Sequence, residues 1–181
     1  HPDPTHHHRR RRHYGPDRSA DATTGEARNN DRAPTPDALS GKSLRLTPER
    51  RVPADNPIAV NPLYSMGHRN PQGIAWDSHG TLWADEFGQN TWDELNRIQA
   101  GGNYGWPAVE GIGHKAGFID PVYQLPVADA SPSGLAFEGG TFFLAALRGQ
   151  RLWGIHPGST TPTTAYFTGE YGRLRDAVPG P

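Results

Sequence analysis

Residues Pro71-Gln72-Gly73-Ile74-Ala75-Trp76-Asp77, followed by Gly80-Thr81-Leu82-Trp83-Ala84, decide how this chain is read. The phrase returns as Pro132-Ser133-Gly134-Leu135-Ala136-Phe137-Glu138, followed by Gly140-Thr141-Phe142-Phe143-Leu144-Ala145. Each copy is a short apolar run, an acidic turn with Gly, and a second apolar run, which is the pattern of a β-hairpin. The two prolines stand 61 positions apart. A matching hairpin that recurs at such a spacing predicts propeller blades rather than a sandwich or a closed barrel. Two clear copies and pieces of others predict part of a ring.

Working outward, Ser43–Leu46 alternates as a half-buried strand does, and 151–155 reads as a further strand. Pro53, Asn56 and Pro57 mark a loop. Leu95 and Ile98, spaced i and i+3 before Gly101-Gly102, predict a helical turn within 92–98. Residues 1–38 hold no Leu, Ile, Val, Phe, Met or Trp, and carry His6 to His8, Arg9 to Arg12 and His13 instead. A segment with so little apolar surface cannot offset the entropy of ordering it, so 1–38 is expected to be disordered or degraded low-complexity sequence. The predicted organisation is therefore 1–38 disordered and 39–181 partial propeller.

The 181 residues contain 22 Gly, 18 Pro and no Cys, with a formal net charge of −1. Lack of cysteine excludes a disulfide scaffold and any Cys-ligated metal site. No apolar run approaches a membrane span, and no signal peptide is expected in this chain. Near-neutral charge, with no aromatic among the arginines, argues against nucleic acid. Walker, dinucleotide-binding, Gly-x-Ser-x-Gly and His-Glu-x-x-His motifs are all missing from the sequence.

Four segments could carry chemistry. Gly67-His68-Arg69-Asn70 precedes a predicted strand and offers a guanidinium fork for a carboxylate or phosphate, or simply faces solvent. Asp85 to Glu94 holds four carboxylates and a Gly, and reads equally as a hard-cation loop or a solvated acidic loop. Asn103-Tyr104-Gly105-Trp106-Pro107 could wall a planar or sugar ligand, or fill core. Arg173 and Arg175, if in a strand, point to one side and call for an anion or water.

These strings, in their order, resemble the soluble sugar dehydrogenases that depend on pyrroloquinoline quinone (PQQ), the glucose/sorbosone or aldose sugar dehydrogenase family. The strings that carry the likeness are Gly67 to Gly73, Asp93-Glu94-Leu95-Asn96 and Gly101 to Pro107. It continues through Ser131 to Gly134 and Arg173-Leu174-Arg175-Asp176. Upstream it includes Leu39 to Lys42, Leu44-Arg45-Leu46 and Pro53 to Pro57. The resemblance implies an all-β, six-bladed propeller, here roughly its C-terminal half. It also implies oxidation of an aldose at C1 to the lactone with PQQ and Ca²⁺.

Carried onto this sequence, the resemblance makes Arg69 and Asn70 PQQ contacts and sets Arg173 and Arg175 against the PQQ carboxylates. The carbonyls of Gly88 and Gln89 would hold the Ca²⁺ that bridges to PQQ, with Gln89 standing where the family often has Pro. Glu94 and the Tyr104 carbonyl would hold a second Ca²⁺. Counting back from Gly15-Pro16-Asp17 places the general base on His7, with Arg9 and Arg10 where the family has glycines. Asp21 is matched to the acid that orients the base. The implied partners are an aldose, an external electron acceptor and, as an assembly, a homodimer; the implied location is periplasmic or extracellular. As a truncated chain it is expected to be inactive alone. The alternative is a non-catalytic propeller fragment, either a pseudogene product or a partner-binding module.

Overall fold

The computed structural model describes residues 11–158 and 163–180. Among these the chain is all-β apart from one 3-10 turn at Asn30–Arg32. Twelve strands form three four-stranded antiparallel sheets. Sheet A contains β1 (Arg12–Tyr14), β2 (Ala20–Thr24), β3 (Lys42–Leu46) and β4 (Leu63–Met66). Sheet B contains β5 (Pro71–Trp76), β6 (Leu82–Glu86), β7 (Trp92–Arg97) and β8 (Tyr123–Pro126). Sheet C contains β9 (Pro132–Glu138), β10 (Thr141–Ala146), β11 (Arg151–Ile155) and β12 (Thr163–Tyr166). Strands neighbour one another in chain order, so each sheet is a simple meander, laid out as a propeller blade is. No helix among the described residues is long and apolar enough to cross a membrane.

The repeated phrase is the first hairpin of sheets B and C, β5–β6 and β9–β10. Its acidic residue has a visible task in the first copy. Asp77 Oδ1 accepts the N–H groups of His79 and Thr81, each at 2.9 Å, and Oδ2 accepts Trp83 Nε1–H at 2.9 Å. Its glycine is a packing requirement. A Cβ on Gly73 would stand 2.5 Å from Leu135 N and 2.8 Å from Gly134 C, because β9 passes directly against β5. A Cβ on Gly134 would in turn stand 2.8 Å from Asp176 Cα. The phrase therefore recurs because each first strand must let the next segment come close.

Alternation along sheet B feeds two cores. Ile74, Leu82 and Ala84 pack with Ile98 and Tyr104, against Tyr64 of sheet A. Ala75, Trp83, Leu95 and Leu125 pack with Leu135, Phe142, Leu144 and Ile155 of sheet C. Both faces of sheet B are thus covered, one by each neighbour.

Two expectations fail here. Residues 92–98 are not helical: Trp92–Arg97 is β7, paired with β6 and β8. Alternation sends Leu95 inward between two strands, and Ile98 lies beyond the strand, so the i, i+3 spacing is coincidence. Nor is the described part of 1–38 unstructured. β2 pairs with β3 from Ala20↔Leu46 to Thr24↔Lys42, and residues 26–38 follow as turns. Main-chain pairing and small buried polar residues, Ser19, Asp21 and Thr23, do here what aliphatics do elsewhere. The Gly15-Pro16-Asp17 turn closes the β1–β2 hairpin, Gly15 N–H donating to Ser19 O at 2.8 Å. Residues 1–10, including His7, Arg9 and Arg10, lie outside the described residues.

Candidate functional site

Sheet topology puts several chain turns at one end of the molecule. β1, β5 and β9 begin there, while β2, β4 and β6 end there. Arg11, Arg69-Asn70 and Ser131 precede the three first strands; Glu26, His68 and the 87–91 loop follow or join the strands that finish there.

This end holds a small cavity lined by Gly67, Arg69, Glu86, Phe87, Gly88, Glu94, Tyr104, Trp106, Val109 and Glu110. It gathers four residues that the sequence singled out, Arg69, Gly88, Glu94 and Tyr104. The Arg69 guanidinium lies over the Trp106 ring at 5.6 Å, and Nη1 donates to Phe87 O at 3.3 Å. Its Nε is buried and has no hydrogen-bond partner. No carboxylate forms an ion pair with Arg69 among the described residues. Gln89, next to Gly88, is exposed.

Glu86 organises the pair Arg69-Asn70. Its Oε1 accepts the N–H groups of Arg69 and, at 3.1 Å, of Asn70. Its Oε2 accepts His68 Nδ1–H at 2.9 Å and Asn96 Nδ2–H at 3.3 Å. Asn70 Oδ1 accepts from Gln72 Nε2 at 2.8 Å. His68 is fully buried, its Nε2 2.8 Å from Ser65 Oγ and its ring stacked on Tyr104 at 4.6 Å. The Tyr104 hydroxyl donates to Arg97 O and accepts Gln99 N–H at 2.9 Å, so the ring is anchored at its hydroxyl end.

The acidic segment is not a solvated loop. Asp85 and Glu86 end β6, Asp93 and Glu94 begin β7, and all four are buried. Asp85 accepts Gly73 N–H at 2.6 Å, and Asp93 accepts Gly88 N–H at 2.9 Å and Ser131 N–H at 2.6 Å. Burial pushes the Asp85 carboxyl up to about 7 and that of Asp93 to about 6. Burial first, and then the neighbouring Glu86 carboxylate, push Glu94 up as well. Glu94 accepts Gly111 N–H at 2.7 Å and Asn96 Nδ2–H at 3.0 Å. Two buried carboxylates facing one cavity disfavour joint ionisation, so one of them keeps a proton unless a cation offsets the charge. No cluster of three or more His, Asp or Glu side chains suited to a metal occurs among the described residues. A cation here would accordingly draw on main-chain oxygens, as Ca²⁺ readily does.

Arg173 and Arg175 are exposed and lie in an irregular segment rather than a strand, so strand alternation does not aim them to one side. Their main chain is nevertheless brought to the same end of the molecule. Ser133 Oγ–H is 3.1 Å from Leu174 O and 2.7 Å from Arg175 O, and Arg11 pairs with Asp176 at 2.7 Å and donates to Ser133 O at 2.6 Å. Asp21 sits within β2 and lines a different cleft with Asp17, Arg45, Tyr64 and Trp76, where burial pushes its carboxyl up to about 7. A second buried acid, Glu26, adjoins Arg69 through the main chain, its N–H donating to Arg69 O at 2.8 Å. Sequence reasoning passes over Glu26, whose one signal is the Thr23-Thr24-Gly25 run leading into it. A larger, mainly apolar groove beside Phe143, Leu152, Phe167, Leu174 and residues 176–180 contains none of the cavity residues.

Comparison with known proteins matches the sequence and fold to one family. The family described as Glucose / Sorbosone dehydrogenase matches residues 2–181. The solved PQQ-bound aldose sugar dehydrogenase from Streptomyces coelicolor is 47% identical with a TM-score of 0.91, over 93% of this chain and 52% of that one. The aldose sugar dehydrogenase of Escherichia coli is 32% identical over 174 residues, which is 80% of this chain and 47% of that protein. Quinoprotein glucose dehydrogenase B of Acinetobacter calcoaceticus is 43% identical over 102 residues, 55% of this chain and 21% of that protein. The chain spans about half the length of the first two.

Proposed function

The chain belongs to the glucose/sorbosone dehydrogenase family, and we propose that it forms the PQQ- and Ca²⁺-docking half of a sugar dehydrogenase. The observation that carries this is Arg69: a guanidinium with a buried, unpartnered Nε, stacked on Trp106 and facing no carboxylate of its own. Such a group is suited to an anionic, planar ligand, and PQQ is an aromatic tricarboxylate. The PQQ held by the Streptomyces relative supports the same reading.

Arg69 and Asn70 would hold the cofactor, their main chain fixed by Glu86. Arg173 and Arg175 would supply charge from the neighbouring segment that Ser133 ties down. The Gly88 and Gln89 carbonyls would hold one Ca²⁺, and Glu94 with the Tyr104 carbonyl would hold a second, structural Ca²⁺. Bound PQQ supplies the acceptor for the two electrons and the hydrogen that leave the sugar C1–H. The proton of the C1 hydroxyl would pass to His7, and the aldose would become its lactone. Reoxidation needs an external electron acceptor, and the family's periplasmic or extracellular setting carries over with it. Closure of a six-bladed ring would take about as much chain again, in line with the share of the relatives that is matched.

The test is thermal melting with Ca²⁺ and PQQ. At a hundredfold excess over Kd, a ligand adds about 2.7 kcal/mol, or roughly 5–10 °C for a chain this size. The gain should vanish in Arg69→Ala. No shift in the wild-type chain would favour the non-catalytic fragment, and dye reduction with glucose would separate docking from turnover.

A further inference from the structure

This inference rests on the reading that Ca²⁺ and PQQ bind beside Arg69. Five successive N–H groups, from Gly88 to Trp92, are aimed at two carboxylates. Gly88 N–H donates to Asp93 Oδ1 at 2.9 Å. Gln89, Asn90, Thr91 and Trp92 donate to a single oxygen, Glu110 Oε1, at 2.8, 3.0, 3.0 and 3.2 Å.

In a trans peptide, the carbonyl of one residue points opposite to the N–H of the next. The Gly88 carbonyl shares its plane with Gln89 N–H, and the Gln89 carbonyl shares its plane with Asn90 N–H. Both oxygens therefore aim away from Glu110. One plane earlier, the Phe87 carbonyl is opposed to Gly88 N–H and accepts from Arg69 Nη1 at 3.3 Å. The Phe87 carbonyl thus faces Arg69, while the Gly88 and Gln89 carbonyls face away from Glu110. Gly88 leaves no room for a side chain, since a Cβ would overlap the Trp92 carbonyl. Gln89 lacks the fixed φ of proline, and its N–H is one of those that Glu110 holds.

We infer that Glu110 is a positioning residue: by gathering the amides of 89–92 it fixes the peptide planes of the loop and turns the Gly88 and Gln89 carbonyls away from itself, leaving two oxygens free for one Ca²⁺. Its Oε1 is taken up by four amides, so its part is to hold the loop. Groups that orient metal ligands typically matter by 10–100-fold in affinity.

Glu110→Ala removes the acceptor, whereas Glu110→Gln keeps an oxygen in place without the charge. Two measurements on the full chain decide the matter: hydrogen exchange of amides 88–92, and the Ca²⁺ concentration that half-saturates PQQ uptake, read by absorbance. In Glu110→Ala, amides 89–92 should lose protection while β6 and β7 keep theirs, and the half-saturating Ca²⁺ should rise by about tenfold or more. Glu110→Gln should stay within about threefold of wild type, because the amides keep a partner. Exposed amides with PQQ uptake at the wild-type Ca²⁺ concentration would overturn the inference. So would a Gln variant as impaired as the Ala variant, since charge rather than geometry would then be at work. Failure of the underlying reading looks different. The wild-type chain would take up no PQQ at any Ca²⁺ concentration while Glu110→Ala still lost amide protection, which would reduce Glu110 to a loop clamp.

Discussion

Replacing Gly73 with Ala tests whether the close passage of β5 and β9 is what makes the repeat recur. The added methyl would lie 2.5 Å from Leu135 N, 2.6 Å from Asp85 Oδ2 and 2.8 Å from Gly134 C. Two of these are main-chain atoms of β9, so relief requires β5 and β9 to part by about 1 Å. Overpacking of this kind costs about 1–3 kcal/mol. Moving Gly73 also disturbs the 2.6 Å bond to Asp85, whose other oxygen is already buried without a partner. A weakened buried acceptor adds roughly 1–3 kcal/mol. The smaller entropy of Ala in the unfolded chain returns about 0.4–1 kcal/mol, leaving a net loss near 3 kcal/mol. Gly80→Ala is the control. Gly80 has φ +78° and nothing within 4 Å of an added Cβ, so only the left-handed conformation is penalised, by about 1–2 kcal/mol before the same entropy gain. With a urea slope of roughly 2 kcal/mol/M, the midpoint should fall by about 1.5 M in Gly73→Ala and by about 0.5 M or less in Gly80→Ala. If Gly73→Ala lowered the midpoint no more than Gly80→Ala, the close passage of the two strands could not be why the glycine recurs.

Two further outcomes follow from buried charge. Asp85, Asp93 and Glu94 all bind protons more readily folded than unfolded, so between about pH 4 and pH 7 the folded chain holds more protons. Stability of the metal-free chain should therefore fall as pH rises through that window, by up to about 1.4 kcal/mol per unit for each titrating group. Ca²⁺ should raise Tm more at pH 7.5 than at pH 5.5, and a metal-free Tm that climbed from pH 5 to pH 7 would refute the assignment. Lys42 is fully buried and its Nζ donates to Arg32 O and Ala33 O at 2.8 Å and to Ser40 O at 2.7 Å. Lys42→Met leaves those carbonyls without their donor, so stability should drop by about 3 kcal/mol or more, with hydrogen exchange at 32–41 accelerating first.

The hairpin repeat is legible in the sequence because side-chain alternation and turn chemistry are local properties. The fourth strand of each sheet is harder to read. Tyr123–Pro126 and Thr163–Tyr166 are too short to carry a decisive pattern of their own and are strands because β7 and β11 offer edges to pair with. Long-range pairing also explains why β2 escapes a sequence reading: Ala-Asp-Ala-Thr-Thr has little apolar content, and its partner β3 lies some twenty residues on. In the site, Arg69, Gly88, Glu94 and Tyr104 can be named from strings that resemble a family. Glu26, Glu86 and Glu110 cannot, since each acts on main-chain N–H groups or a neighbour distant in sequence. Nothing in a string of residues says which carboxylate will meet which amide.

Sheet B has one consequence for how the molecule comes apart. With a neighbour on each face, it loses nothing until a flanking sheet leaves, so the array should melt from its outer members inward, as linear stacks with nearest-neighbour coupling do. The slowest-exchanging amides should then belong to β6, whose Leu82 and Trp83 reach into opposite cores. The loop that carries Gly88 and Gln89 springs from the end of that strand. A loop seated there can be opened without the scaffold beneath it giving way, which separates the lifetime of the loop's arrangement from the lifetime of the fold.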